Sequence, residues 1–172
     1  MIVILYDSES EEIQRVASRI RNGIGNCETM ALNNISYSVL ARANTILFGC
    51  ASGLSTGVSY RMLEFMERTR DRFANQVWKN KFASGFTIDE GSSSIKIIED
   101  LFSFACKHSM IWIPQGHLAE NEGQNRPTGT TVNRNKSYLG CIATLDVRDL
   151  TAETFGRRIR EQTERLLNPR QH

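Results

Sequence analysis

Apolar runs that are unbroken for four to six residues recur along this chain, each followed by a segment whose apolar residues return every three to four positions. The clearest are IVILY (Ile2 to Tyr6), TILFG (Thr45 to Gly49) and SMIWIP (Ser109 to Pro114), and KFASGFT (Lys81 to Thr87), broken by Ser84, reads as a further strand. A strand with one wet face alternates apolar and polar residues; an unbroken run is a strand covered on both faces. Strands of that kind separated by helical segments make βαβ units and a parallel sheet between two helical layers.

The weaker run CETMAL (Cys27 to Leu32) supplies one more strand. The helices are predicted at Glu11 to Arg21, closed by Gly23 and Gly25, at Ser36 to Ala43, at Val58 to Arg70, at Ile95 to Lys107, and from Thr151 to about Leu167. In the third of these, Met62, Leu63, Phe65 and Met66 are expected on the inner side, and Thr151 is the expected N-cap of the last. Five strands point to a flavodoxin-like three-layer sandwich, a five-stranded parallel sheet in the order 2-1-3-4-5. The whole chain, 1–172, reads as one domain. At this length a core buries roughly 70% of the extended-chain surface, so no disulfide or metal staple is needed. In such a sheet a ligand sits at the carboxyl ends of the strands, at the switch point of strand order. The loops there are Asp7 to Glu12, Cys50 to Gly57, Ile88 to Ser94 and the long polar stretch Gln115 to Ser137. The last is too long for a connector and is expected to be a lid or contact loop, open to proteolysis at Arg126 or Arg134.

Composition excludes several classes. The net charge of +2, with scattered Lys and Arg, gives no reason to expect nucleic acid. Cys27, Cys50, Cys106 and Cys141 form no CxxC pair and read as free thiols of a reducing compartment. No run approaches the length of a membrane span and no basic leader precedes the first strand, so a cytoplasmic location is expected. Asp7, Asp89 and Glu90 raise the thought of Mg²⁺. A phosphoacceptor receiver domain, however, needs Asp and Lys where this chain has Gly49–Cys50 and Pro114–Gln115, and no metal site is expected.

The turn YDSESEE (Tyr6 to Glu12) admits two readings. In one, Ser8, Ser10 and the free N–H groups of the following helix hold a phosphate. In the other, Ser8 and Glu11 form a capping box, and Asp7, Glu9 and Glu12 face the positive helix end. A carboxylate about 4 Å from a phosphate charge costs roughly 1 kcal/mol in water and about 4 at an effective dielectric of 20, which favours the second reading. Elsewhere, His117 stands at a strand end, His172 is terminal, and Phe73, Trp78 and Phe82 cluster after the third helix, where packing is the default role.

The segments VLARANTILFG, EFMERTRDRFANQVWKNKFASGFT and FACKHSMIWIPQG resemble the tryptophan-repressor-binding-protein type of NAD(P)H:quinone oxidoreductase, along Val39 to Gly116 without a long gap and more loosely at both ends. That family consists of flavodoxin-fold FMN enzymes, typically tetrameric. The resemblance implies an FMN-binding set of Ser8 and Ser10 in the first loop, Cys50, Ala51, Ser52 and Gly53 in the second, and Thr87, Asp89, Gly91, Ser92 and Ser93 in the third. It adds His108 beside the flavin ring and Phe73 from a neighbouring subunit. The chain departs from the family in having Glu11 and Glu12 for Gly and His, CASG for a Thr-Pro-Thr-Arg-type loop, and IDEGSSS for a run of Thr and Gly.

By function, the resemblance implies an FMN-dependent oxidoreductase that passes electrons from NAD(P)H to a quinone or similar small acceptor, as a homodimer or homotetramer, with no side chain needed as a catalytic acid or base. The alternative is a divergent member that has lost tight FMN binding and acts as an oligomeric binding or scaffold protein.

Overall fold

The computed structural model describes residues 1–53, 57–118 and 130–167. A parallel sheet is formed by β1 (Ile2–Tyr6), β2 (Glu28–Ala31), β3 (Thr45–Gly49), β4 (Phe82–Ile88), β5 (Ile111–Trp112) and β6 (Cys141–Ala143). The order is β2-β1-β3-β4-β5, as the strand count predicts, with β6 also paired to β4. Successive residues of a strand face opposite layers. Ile2 and Ile4 point to one side, with α1 (Glu11–Ile24) and α6 (Thr151–Leu167); Val3 and Leu5 point to the other, with α2 (Tyr37–Arg42), α3 (Tyr60–Arg68) and α5 (Ser92–Lys107). The short α4 (Arg70–Ala74) follows α3.

The fifth strand differs most from the expectation. Ile111 and Trp112 pair with Phe82 and Ala83, and Ile113 N–H still donates to Ala83 O at 2.8 Å. Pro114 then brings no N–H, so the ladder stops, and Gly116 at φ +69° turns the chain away. The chain returns at Cys141–Ala143 to pair with Phe86–Ile88. One place in the sheet is thus filled by two short pieces with the polar stretch inserted between them. Residues 119–129 of that stretch, with Arg126, lie outside the described residues, as does His172.

Helix ends also differ. The third helix breaks at Thr69, whose hydroxyl donates to Met66 O at 2.7 Å. Leu63 is half exposed rather than inner, while Met62 and Phe65 are buried. Helix α5 begins three residues before Ile95, so Ser92 and Ser93 are helical; Ser94 Oγ donates to Ile88 O and accepts from Glu90 N–H. Thr151 is the first residue of α6 and not its cap. The buried Asp149 carboxylate does that work, accepting from Thr151 N–H at 2.9 Å and from Thr144 N–H at 2.7 Å. All four cysteines are free: Cys50 and Cys141 are buried, Cys27 is half-buried and Cys106 is exposed.

Candidate functional site

The carboxyl ends of β1, β3 and β4 open onto one edge, with the reversal of strand order between β1 and β3. Asp7 leaves β1 buried, its N–H on Gly49 O at 2.9 Å and its Oδ1 accepting from Glu9 N–H at 3.1 Å. The helix that follows is capped by Ser10, and this corrects the expected Ser8–Glu11 capping box. Ser10 Oγ accepts from Ile13 N–H at 3.2 Å and donates to Glu12 Oε2 at 3.1 Å. Ser8 contributes its carbonyl, to Gln14 Nε2 at 2.7 Å, and Glu11 points along the helix to Arg15. The box fails because Asp7 holds the turn two residues further on, so the chain enters the helix at Glu11. Glu12 is held below the ordinary carboxylate range, first by its own backbone N–H and then by Ser10. Glu9 is lowered by its hydrogen bond from Arg61, in the first turn of α3.

The second and third loops are tied to each other. Ser52 N–H donates to Glu90 Oε2 at 3.0 Å. Thr87 Oγ1 donates to Cys50 O at 2.7 Å beneath the edge, where both residues are buried. Burial pushes the Cys50 thiol up to about 12, so it is protonated and inert as a nucleophile at neutral pH. Gly53 turns back on Gly57, and a Cβ there would lie 2.8 Å from Val58 O, so the loop needs glycine at this position. Asp89 Oδ1 accepts from Gly91 N–H at 3.1 Å, and Gly91 takes φ +74°. Ala51, Ser52, Gly53, Asp89, Gly91, Ser92 and Ser93 therefore lie together at or beside this edge, with Ser8 and Ser10 across the switch point.

His108 and Phe73 lie elsewhere. His108 follows the end of α5, at the amino edge of the sheet, 3% exposed. Its ring packs on Trp78 at 4.6 Å and Phe104 at 4.7 Å between centroids, and Phe73 meets it edge-on at 5.9 Å. Burial lowers its pKa to about 4, so it is neutral. Trp78 and Phe82 are core residues, as packing predicts. His117 accepts at its carbonyl from Asn133 Nδ2 at 2.8 Å.

One residue of the edge, Arg61, escapes a reading of the sequence: it bonds to Glu9, 52 positions away, and no local pattern marks it. Glu90 stands in the expected third loop, but its bond from Ser52 N–H, 38 positions away, has no signal in the sequence. Among the described residues no group of three or more His, Cys, Asp or Glu side chains is placed to hold a metal ion.

As a phosphate cradle the first turn does not fit. Ile13 N–H is given to Ser10, the Ser10 hydroxyl and the Glu12 N–H serve the Glu12 carboxylate, and the nearby cation Arg61 serves Glu9. Four carboxylates (Asp7, Glu9, Glu11 and Glu12) crowd a place where a phosphate would bring about two more negative charges.

No family model and no curated protein sequence matches the chain. Solved structures do match it. The flavodoxin, WrbA-like protein from Agrobacterium tumefaciens is 20% identical, with 95% of this chain and 97% of that one covered at a TM-score of 0.77. A flavodoxin from the Archaea is 16% identical over 95% and 98% of the two chains, at 0.69. The Fusobacterium nucleatum flavodoxin bound to flavin mononucleotide is 11% identical over 95% and 96%, at 0.67. The fold is flavodoxin-like.

Proposed function

We propose that this chain binds a flavin by its ring rather than by its phosphate, and works in electron transfer from NAD(P)H toward a quinone or similar small acceptor. The observation that carries the reading is the meeting of the loops after β1, β3 and β4 at the switch point, the last two joined by the hydrogen bond from Ser52 N–H to Glu90. That is where folds of this order take FMN, and a neighbour covering nearly the whole chain is named as FMN-bound. When bound, the flavin supplies the hydride and electron chemistry. The chain would supply position: the small residues Ala51 to Gly53 and Asp89 to Gly91 leave backbone open to a flat ring. Ser52 N–H becomes a donor to ligand when Glu90 releases it. Flavin contact by Phe73, at the other edge of the chain, would belong to a homodimer or homotetramer, whereas His108 is buried behind it and out of reach of such a ligand. Tyr60, 78% exposed, and Phe73, 44% exposed, are apolar surfaces that such an assembly would cover.

The second reading, a binding or scaffold protein without flavin, draws on the same edge: Ile13 N–H, Ser52 N–H and Arg61 are each held by the chain's own oxygen atoms. Titration of FMN and riboflavin, followed by quenching of flavin fluorescence, separates the two. Weak binding of both, riboflavin no worse than FMN, is expected. In a Glu9→Gln, Glu12→Gln double variant, FMN should gain about tenfold or more while riboflavin stays unchanged. Tight native FMN binding with strong preference over riboflavin would overturn the closed phosphate turn. No binding of either flavin by the folded native protein would leave the scaffold reading.

A further inference from the structure

The loops at the two ends of the sheet carry opposite charge. At the carboxyl ends, Asp7, Glu9, Glu12, Asp89 and Glu90 stand against Arg61. At the amino ends of β3, β4 and β5 the balance reverses. The stretch RTRDRFANQVWKNK, residues 68–81, sets Arg68, Arg70, Arg72, Lys79 and Lys81 against Asp71. Arg42 and Lys107 end α2 and α5 beside it. Some of these cations are taken up within the chain. Arg68 and Arg70 pair with Glu64 and Glu67, and Lys81 Nζ donates to Ala41 O at 2.7 Å. Arg42, Lys79 and Lys107 are exposed and make no ion pair among the described residues. Arg72 lies over the Tyr37 ring, 3.7 Å from its centroid, and keeps its charge.

The same stretch holds Phe73 and Val77 out in water, 44% and 43% exposed. Its backbone is fixed. Asn80 N–H donates to Ser109 O at 3.0 Å, and the Ser109 hydroxyl donates to Gln76 Oε1 at 2.8 Å. Gln76 and Asn80 take φ +52° and +66°, a region that non-glycine residues rarely enter. One exposed apolar residue is ordinary. Two of them on a fixed loop, rimmed by unpaired cations, make the composition of an interfacial membrane contact. The apolar tips enter the acyl boundary, and the cations meet lipid phosphates and carboxylates. A nucleic acid would use the cations and leave Phe73 and Val77 in water. A second copy approaching by the same rim would meet its own positive charge.

We propose that this amino-edge rim, Phe73 and Val77 with Arg42, Arg72, Lys79 and Lys107, is a docking surface for an anionic lipid bilayer. The charge asymmetry orients the molecule: the acidic carboxyl edge is repelled by the same surface, so the switch point faces water. The contact is peripheral and reversible. Each cation removed should weaken partition about fivefold, and salt should screen the attraction. Nothing in this rests on flavin binding, and an assembly that covers Phe73 competes with it.

The test sediments the full chain with vesicles of phosphatidylcholine, alone or mixed with phosphatidylserine. Partition onto the mixed vesicles should be about tenfold higher or more, and NaCl at about 0.5 M should abolish the difference. The double variant Lys79→Glu, Lys107→Glu should lose about tenfold or more. Arg15→Glu with Arg157→Glu makes the same change of net charge on α1 and α6 and should lose less than about threefold. Val77→Ser, which leaves the charge alone, should lose about threefold. Amide hydrogen exchange should slow over residues 72–80 on the mixed vesicles and stay unchanged over Asp7 to Glu12. Equal partition onto both vesicles, no partition onto either, equal losses in the two charge variants, or slowed exchange at Asp7 to Glu12 would overturn the proposal. Full partition by Val77→Ser would also overturn it, leaving a rim that binds polyanions by charge alone.

Discussion

The two helical layers meet the same sheet in opposite ways. Helices α1 and α6 touch backbone to backbone: a Cβ on Gly23 would lie 2.0 Å from Glu153 O, and one on Gly156 would lie 2.2 Å from Ile20 O. Around that contact Arg19 reaches Thr144 O and Asp146 O at 3.2 Å, and Thr45 and Thr163 share a buried hydrogen bond of 2.9 Å. On the other layer, rings keep α3 and α5 apart. Phe48, Phe65, Trp78 and Phe104 pack at centroid distances of 5.5 to 6.4 Å, and a groove lies outside them. The difference teaches what sets the width of a layer. Paired glycines let two helices close until nothing can enter. Aromatic rings have fixed size, fill the space next to the sheet, and leave a cleft above it where the helices cannot close.

The comparison can be broken most directly at Gly156. Gly156→Ala puts a methyl group against Ile20 O with backbone on both sides, so neither neighbour can move aside. A loss of about 3 kcal/mol is expected, seen as a lower denaturation midpoint with unchanged slope. A loss below about 1 kcal/mol would mean that the two helices slide apart cheaply and that the layer is not locked by its glycines.

A smaller effect belongs to the aromatic layer and appears with pH. The folded-state pKa of His108, about 4, lies below the ordinary 6.5. The unfolded chain therefore binds the proton first. The contribution of neutral His108 is complete above pH 6.5 and is lost as pH falls from there toward 4. The loss is on the order of 2 to 3 kcal/mol over that window. Urea midpoints measured between pH 7 and 4.5 should fall more steeply in the native protein than in His108→Phe. Parallel pH profiles would show that His108 titrates normally and that this layer is wetter than its packing implies.

The smallest effect sharpens the contrast. Leu63 lies on the groove, 50% exposed. Leu63→Ser should change stability by less than about 0.5 kcal/mol, against the large cost at Gly156. A cost near that of a core leucine would mean that something covers this face in solution.

Much of this architecture is legible in the residues one by one. Unbroken runs such as TILFG require cover on both faces, and Ile13, Val16, Ala17 and Ile20 mark the inner stripe of α1. The boundaries that fail do so for local reasons that sequence hides: Thr69 turns its hydroxyl back on Met66 O, and Ser109, at φ +57°, holds the start of the fifth strand back to Ile111. The edge loops were legible as loops. Their bonding was not, since Ser10 takes the cap from Ser8 only because Asp7 folds under Glu9 N–H.

The sequence by itself determined the parallel sheet, its strand order and the acidic character of the first turn, because hydrophobic periodicity and charge are properties of neighbours along the chain. Only the tertiary structure decided which oxygen atoms occupy the donors of that turn, that Glu90 closes on Ser52 N–H, and that His108 and Phe73 stand together at the edge away from it. Those outcomes depend on pairs tens of residues apart, joined by single hydrogen bonds or ring contacts worth about a kcal/mol each. Such contacts leave no period to read. They form where the packed sheet and helices have already brought the partners within reach.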